Sequence, residues 1–203
     1  MASENPDLVA LICSRLCHDL AGSIGAVNNG VELLAEETDA AMREEAIGLI
    51  AQSANDTARR LSFFRLALGA SGNMDEPMAY AEFSRVAKAY FAGGKLSLLL
   101  PAVTDPLPKP LGKALLLGLS LAAQALPRGG SLSLAKDGDV WLIRAEGTTL
   151  RWQEHVAQGL GDGALPAEPM AAIARYAQQL AATAGCRLQA EAGDAALVLR
   201  FAA

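Results

Sequence analysis

Two heptad repeats in its first third most constrain how this 203-residue chain can fold. Apolar or small residues recur there at alternating steps of three and four, over residues 10–34 and again over residues 47–68. The first series is Ala10, Cys13, Cys17, Leu20, Ile24, Val27, Val31 and Leu34, and the second is Ile47, Ile50, Ala54, Thr57, Leu61, Phe64 and Leu68. This pattern predicts two long helices.

A short turn at Glu37-Thr38-Asp39 separates the two series, so the helices must lie antiparallel as a hairpin. Asn5-Pro6-Asp7 is typical of a helix start, and Gly69 ends the second helix. A lone hairpin leaves half of its apolar surface in water, and a second copy would cover it. We therefore expect a homodimer with a four-helix bundle at its centre. Packing of the hairpin against the rest of its own chain is the alternative that the sequence leaves open.

The pattern changes after a linker, Gly69-Ala70-Ser71-Gly72-Asn73. The sequence beyond it predicts helices over residues 79–92, 110–126 and 167–184, and strands over residues 95–100, 131–136, 140–146, 186–191 and 197–201. The glycine-rich segment 159–163 is interpreted as a loop. This order predicts an α/β sandwich with helices on one face of a mixed sheet. The expected fold class is α+β, with a helical hairpin domain over residues 1–70 and the sandwich over residues 71–203.

Charge and cysteine content restrict the function. A formal net charge of −5 argues against a nucleic-acid surface, which needs clustered Lys and Arg. The first residues carry Glu4 and Asp7 instead of a basic segment before an apolar run, so we expect a cytoplasmic protein without a membrane segment. Three cysteines, Cys13, Cys17 and Cys186, suggest neither a disulfide framework nor a zinc site. Cys13 and Cys17 belong to the first heptad series and are expected to be buried.

His18 and Asp19 are adjacent in the first predicted helix, and the glycines Gly22, Gly25 and Gly30 follow on what we interpret as one face. An aspartate beside a neutral imidazole can keep one ring nitrogen protonated, so that the other presents its lone pair. Each glycine costs a helix about 1 kcal/mol relative to alanine. Either the small residues let another protein approach His18 closely, or the helix bends near Gly22. A histidine beside an aspartate is also common on ordinary helix surfaces.

Two segments carry a family resemblance. The run HDLAGSIGAV, residues 18–27, resembles the H-box of histidine kinases, in which an acidic residue and leucine follow the phosphorylated histidine. CSRLCHDLAGSIGAVNNGVELL, residues 13–34, together with RRLSFFRLALG, residues 59–69, resembles the ChpT-type histidine phosphotransferases of alphaproteobacteria. The resemblance extends over nearly the whole chain. It implies a dimeric hairpin followed by a domain like the ATP-binding domain of histidine kinases.

The same resemblance implies a function. His18 would take a phosphoryl group from the aspartate of one receiver domain and pass it to another, with Asp19 orienting the imidazole. Helical spacing puts Arg15 one turn from His18, where it would either help to neutralise the phosphoryl group or be an ordinary solvated arginine, and it puts Gly22 and Gly25 on the surface that the partner would approach. The implied partners are response regulator receiver domains and the receiver domain of a hybrid histidine kinase. No cofactor is expected to be bound, because the receiver domain brings Mg²⁺.

Several positions depart from active kinases. Leu117 and Leu121 stand where the metal-binding asparagines would be, and Ala145 occupies the place of the adenine-binding aspartate. Gly22 replaces the residue that orients water in bifunctional kinases, which disfavours a phosphatase role, and Ser23 stands where the family usually has proline. Two alternatives remain open: an ATP-dependent sensor histidine kinase fragment, and a non-enzymatic dimeric scaffold for response regulators.

Overall fold

The computed structural model describes residues 7–69 and 73–203. Helix α1, Leu8–Glu36, and helix α2, Ala40–Leu68, form the predicted antiparallel hairpin. Asp7 caps α1 by accepting a hydrogen bond of 2.9 Å from the backbone N–H of Val9. The other two residues of the predicted helix start, Asn5 and Pro6, lie outside the described residues, as do residues 70–72 of the predicted linker.

The turn between the two helices is fixed by its own polar side chains. Asp39 caps α2 by accepting hydrogen bonds from two backbone N–H groups of the first turn. Backbone N–H groups of Asp39 and Thr38 donate to the Glu37 carboxylate and hold its pKa below the usual value. Arg43 Nη1 donates to the carbonyl oxygens of Leu34, at 2.7 Å, and Glu37, at 2.8 Å. The hairpin therefore closes without needing a glycine in the turn.

The two heptad series divide into exposed and inward columns. Most residues of one column in each helix, seven positions apart, are exposed in the single chain, and most of those of the other column are half-buried or buried. The exceptions are Cys13, which is exposed in the inward column of α1, and Leu68, which is half-buried in the exposed column of α2. The exposed columns are Ala10, Cys17, Ile24 and Val31 of α1 and Ile47, Ala54 and Leu61 of α2; the inward ones are Leu20, Val27 and Leu34 of α1 and Ile50, Thr57 and Phe64 of α2. Ile24 is 47% exposed and Ile47 and Leu61 are each 55% exposed. The expectation that Cys13 and Cys17 are buried is wrong for the single chain, because both side chains are exposed.

At Gly30 the two helices lie in close contact. It is buried, and a Cβ atom added to it would lie 2.6 Å from Cγ1 of Ile50 in α2. Our expectation that Gly22, Gly25 and Gly30 share one face is therefore wrong. Gly30 faces α2, whereas a Cβ on Gly22 or Gly25 would meet nothing within 4 Å.

The second half is a sheet of five strands covered by helices. In chain order its elements are α3 (Tyr80–Phe91), β1 (Leu96–Leu99), α4 (Lys109–Gln124), β2 (Gly130–Asp137), β3 (Val140–Glu146), α5 (Glu154–Leu160), α6 (Pro169–Thr183), β4 (Arg187–Ala192) and β5 (Ala196–Ala202). The strand order is β1-β2-β3-β5-β4; β1 and β2 are parallel and the other pairs are antiparallel. The expected mixed sheet is confirmed. The short helix α5 was not predicted.

The strands alternate between a buried and a more exposed face, and the helices pack on the buried one. Helix α4 is buried along most of its length. At Gly118, a Cβ atom would lie 2.8 Å from Cδ1 of Ile143 in β3 and 2.9 Å from Cζ of Phe201 in β5, so this glycine lets α4 lie close to the sheet. The core of the second half therefore lies between the sheet and α4.

The hairpin packs against this second half near its open end. The ring of Phe63 in α2 stacks on Tyr90 in α3, with centroids 3.9 Å apart and an interplanar angle of 22°. The buried Lys113 side chain of α4 donates to the carbonyl oxygen of Gly69, the C-cap of α2, and burial lowers its pKa. The alternative that the hairpin packs on its own chain is thus realised at this end, while the exposed columns of α1 and α2 remain uncovered.

Helix α1 is the one helix of the described residues that is long and apolar enough, by length and composition alone, to cross a membrane, with a mean hydropathy of 1.3. In the structure it packs along α2, and its first turns, at Leu8, Leu11 and Ile12, pack on Ala171 and Ala172 of α6. Apolar residues on more than one side are what a helix needs when it lies between several neighbours. The apolar character of α1 therefore has an explanation within the fold.

Candidate functional site

His18 presents its imidazole to solvent beside a carboxylate that is nearly buried. The His18 side chain is 81% exposed and that of Asp19 only 6%. His18 Nδ1 lies 3.4 Å from Oδ1 of Asp19, a long hydrogen bond. An ionised carboxylate can only accept a hydrogen bond, so this contact favours the tautomer with the hydrogen on Nδ1. Nε2 then carries the free lone pair.

Arg15 holds Asp19 from one helical turn earlier. Its Nη2 lies 3.0 Å from Oδ2 of Asp19, and the Arg15 side chain is 16% exposed. Oδ2 is buried and makes no hydrogen bond of good geometry, so the contact is an ion pair. Because both side chains are mostly buried, solvent and salt screen the attraction between them less than in a surface salt bridge. Arg15 is therefore engaged by Asp19, and its predicted role toward a phosphoryl group stays a prediction.

The two glycines that follow His18 leave an open surface. No atom of the chain lies within 4 Å of a Cβ placed on Gly22 or Gly25. Helix α1 continues through both without interruption, and Ser23 Oγ donates to the carbonyl oxygen of Leu20 at 3.2 Å. No packing inside the chain requires these glycines, which favours the interpretation that something outside the chain comes close.

A groove between α1 and α2 contains the histidine. It encloses about 380 Å³ and is lined by His18, Asp19, Gly22, Ser23 and Ala26 of α1 and by Ser53, Asp56 and Arg60 of α2. The α2 residues of the groove are not among those predicted from the sequence, although the paired Arg59-Arg60 in RRLSFFRLALG is a visible signal. Asp56 forms an ion pair with Arg59. Gly25, which we had placed beside His18, does not line this groove.

A second groove of about 410 Å³ adjoins the first and shares Asp56 and Arg60 with it. Its lining includes Arg59 and Lys95, and it lies between α2 and the segment that joins α3 to β1. Three of the charged side chains in this lining are basic and one is acidic. The α2 side of the site is therefore positively charged in a chain whose formal net charge is −5.

Tyr90 lies close to the site, and the charges of the site affect the pKa of its phenol. Burial raises the pKa of the Tyr90 phenol, and the negative charge of Asp19 raises it further. The positive charges of Arg60 and Arg15 and a hydrogen bond with Ser120 act in the opposite direction. Asp19, Arg15 and Arg60 are thus close enough to one buried phenol to act on it together.

The positions that the resemblance assigns to nucleotide binding in kinases are apolar and buried. Leu117 is 1% exposed, and Leu121 and Ala145 are fully buried in the core. None of these side chains offers a ligand to Mg²⁺ or a hydrogen-bond acceptor to adenine. His155, the other histidine, lies half-buried on α5, and its side chain makes no hydrogen bond or ion pair with a described residue.

Comparison with known proteins identifies close relatives. The family model described as the histidine phosphotransferase C-terminal domain matches residues 80–196. The protein phosphotransferase ChpT of Brucella abortus (strain 2308) is 36% identical over 193 residues, which cover 92% of this chain and 90% of that protein. The solved structure of a bacterial phosphotransferase aligns with a TM-score of 0.83 at 33% identity, covering 96% of this chain and 95% of the other. A histidine kinase domain from Erythrobacter litoralis aligns with a TM-score of 0.47 at 13% identity, covering 89% of this chain and 93% of that one.

Proposed function

This chain belongs to the ChpT-type family of histidine phosphotransferases, which act in two-component phosphorelays, and from that membership we propose that His18 is the residue that carries the phosphoryl group. The chain has two histidines. The observation that favours His18 over His155 is the contact of its Nδ1 with Asp19, on an imidazole that is 81% exposed. A partner can reach His18 directly, whereas His155 has no orienting carboxylate among the described residues.

The chemistry follows from the tautomer. The free lone pair on Nε2 attacks the phosphorus of an aspartyl phosphate, the N–P bond forms, and the aspartate leaves as a carboxylate. The Nδ1 proton stays in place, so the ring gains positive charge as the bond forms. Asp19 stabilises that charge, and Arg15 keeps the Asp19 carboxylate in position. Transfer to a second aspartate is the same step reversed.

The partners we propose are receiver domains, both of response regulators and of a hybrid histidine kinase. A receiver domain must bring its aspartyl phosphate within about 3 to 3.5 Å of Nε2, and the open surface at Gly22 and Gly25 leaves room for it. The carboxylates of the His18 groove, Asp19 and Asp56, are each engaged by an arginine. The metal ion that phosphoryl transfer uses is therefore expected to arrive with the receiver domain. We propose that the protein acts in the cytoplasm together with these receiver domains.

We propose a homodimer assembled through the exposed columns of α1 and α2. Ile24, Val31, Ile47 and Leu61 are each about half exposed or more, and they belong to heptad positions that pack in helical bundles. A second hairpin would bury both columns and complete a four-helix bundle. The His18 face of α1 lies on another side of the helix and would remain accessible in such a dimer.

The kinase alternative lacks support, because Leu117, Leu121 and Ala145 have no group that binds a nucleotide. The scaffold alternative would make His18 dispensable. One experiment separates the three. The purified protein is incubated with radiolabelled ATP alone, and then with a radiolabelled phosphorylated receiver domain, using wild type, His18→Ala and His155→Ala.

We expect no label from ATP alone, acid-labile label from the receiver domain on wild type and His155→Ala, and none on His18→Ala. Label from ATP alone would support the kinase. Binding of the receiver domain without any label on wild type would support the scaffold.

A further inference from the structure

The His18 groove contains a cation without a partner among the described residues. Arg60 of α2 lines this groove with His18 and Asp19. Within residues 7–69 and 73–203 its guanidinium makes no hydrogen bond, and no carboxylate oxygen lies within 4.0 Å of it. We propose that Arg60 is a catalytic residue that donates hydrogen bonds to the phosphoryl group while it moves to and from His18. This inference rests on His18 being the carrier.

The register of the hairpin brings Arg60 level with the histidine. Helices α1 and α2 are antiparallel, and Gly30 lies against Ala46 and Ile50. Twelve residues before Gly30, His18 therefore comes level with residues 58–62 of α2, and Arg60 is at the centre of that range. Both side chains line the same groove. An arginine side chain is long enough to contact a phosphoryl group at the edge of the groove.

Arg60 differs from the other two arginines near the site because it is not paired with a described carboxylate. Asp19 is neutralised by Arg15 and Asp56 by Arg59, so two of the three arginines near the site are already engaged. A phosphoryl group adds close to two negative charges. Without a further cation, that charge would lie beside two carboxylates. Arg60 is the remaining positive charge in the groove and balances part of it.

An arginine suits the transition state of phosphoryl transfer. Negative charge spreads over the three equatorial oxygens, and a planar guanidinium can donate to two of them at once. Nothing in the step requires Arg60 to give up a proton: the aspartate O–P bond breaks, the N–P bond at Nε2 forms, and Arg60 only stabilises the charge. The influence of Arg60 on the buried Tyr90 phenol agrees with this placement on the inner wall of the groove.

The test is single-turnover transfer from a phosphorylated receiver domain to the full chain, measured at saturating receiver domain together with the receiver dissociation constant. Four variants are compared with wild type: Arg60→Ala, Arg60→Lys, Arg65→Ala and His18→Ala. Arg65 is an exposed arginine of the same helix that lines a different pocket, so it is the matched control. Free guanidinium ion is added at millimolar concentration to Arg60→Ala.

We expect Arg60→Ala to slow transfer at least tenfold, with the dissociation constant within threefold of wild type, and guanidinium to restore part of the rate. Arg60→Lys should transfer faster than Arg60→Ala but more slowly than wild type, because lysine keeps the charge and loses the paired donors of the guanidinium. Arg65→Ala should transfer within twofold of wild type. A rate for Arg60→Ala within threefold of wild type would overturn the proposal. A weaker receiver affinity with an unchanged saturating rate, or a loss that guanidinium does not restore, would also overturn it. Label on His18→Ala would instead overturn the proposed function and is read out separately.

Discussion

Arg15 and Asp19 form an ion pair of 3.0 Å on one turn of α1, and this pair holds the Asp19 carboxylate 3.4 Å from Nδ1 of His18. The exposed imidazole thus contacts a carboxylate that is itself held in position by Arg15. In the proposed mechanism, Asp19 contributes an orienting charge to His18, whose side chain is 81% exposed. If His18 carries the phosphoryl group as proposed, its orienting carboxylate is already in place before a partner binds.

Replacing this carboxylate by its amide should affect the chemical step more than binding. In Asp19→Asn the imidazole loses the charge that favours a proton on Nδ1 and stabilises the ring as the N–P bond forms. We expect the single-turnover rate to fall at least tenfold, with little change in receiver affinity. Quenched-flow transfer assays measure the rate, and calorimetric titration measures the affinity for the receiver domain. Weaker receiver binding with an unchanged rate would make Asp19 a contact residue.

The glycines of α1 should separate into two classes. Gly25→Leu places a bulky side chain in open space, so the fold should persist while close approach of the receiver domain is blocked and transfer slows at least tenfold. Gly30→Leu must displace Ile50, which lies 2.6 Å from the added Cβ, and should lower the free energy of unfolding by about 1–3 kcal/mol. Denaturant unfolding and transfer assays test both. Wild-type transfer by Gly25→Leu would contradict the approach argument.

A charge in an exposed column should prevent dimerisation. Ile24→Glu would place an unpaired carboxylate inside the proposed bundle, which costs several kcal/mol if it stays ionised. Light scattering at micromolar concentration should give the mass of two chains for wild type and of one chain for this variant. Asn29→Glu adds the same charge on the His18 face of α1 and should remain a dimer. A wild-type mass of one chain would contradict the bundle.

The buried phenol of Tyr90 predicts a loss of stability at alkaline pH. Its pKa in the folded chain is raised above the ordinary value of 10.0, mainly by burial, so the folded chain keeps this proton when the unfolded chain has lost it. Ionisation of Tyr90 should therefore leave the free energy of unfolding unchanged below about pH 10 and lower it as the pH rises further. Tyr90→Phe should show a smaller fall than wild type in urea unfolding at several pH values. Parallel curves for the two proteins would contradict this explanation.

The hairpin was predictable because its heptad spacing and its turn act locally. The same spacing did not reveal that one column, including Cys17 and Ile24, stays exposed in the single chain, because that depends on what covers the other column. Helix α5 was missed because it has seven residues and ends at a glycine-rich segment, too short for a periodic pattern. The strands of the second half were predicted within a few residues from their alternation and their turns.

Arg60 and Asp56 illustrate the part of the site that sequence could not supply. Their place beside His18 depends on the register between α1 and α2, which Gly30 and Ile50 determine by packing. Arg15, four residues before Asp19, was visible in the sequence, but its pairing with that carboxylate depends on the side chains' actual positions. Local motifs therefore identified the histidine that we propose as the phosphoryl carrier, and tertiary packing identified its neighbours.

The most direct test of the account is the atom that carries phosphorus. The protein, labelled with ¹⁵N and phosphorylated by a receiver domain, is examined by NMR correlations between the imidazole nitrogens and phosphorus. Because the contact with Asp19 keeps the proton on Nδ1, the account predicts an N–P bond at Nε2 of His18 and none at His155. Phosphorus at Nδ1 of His18, or at His155, would contradict it.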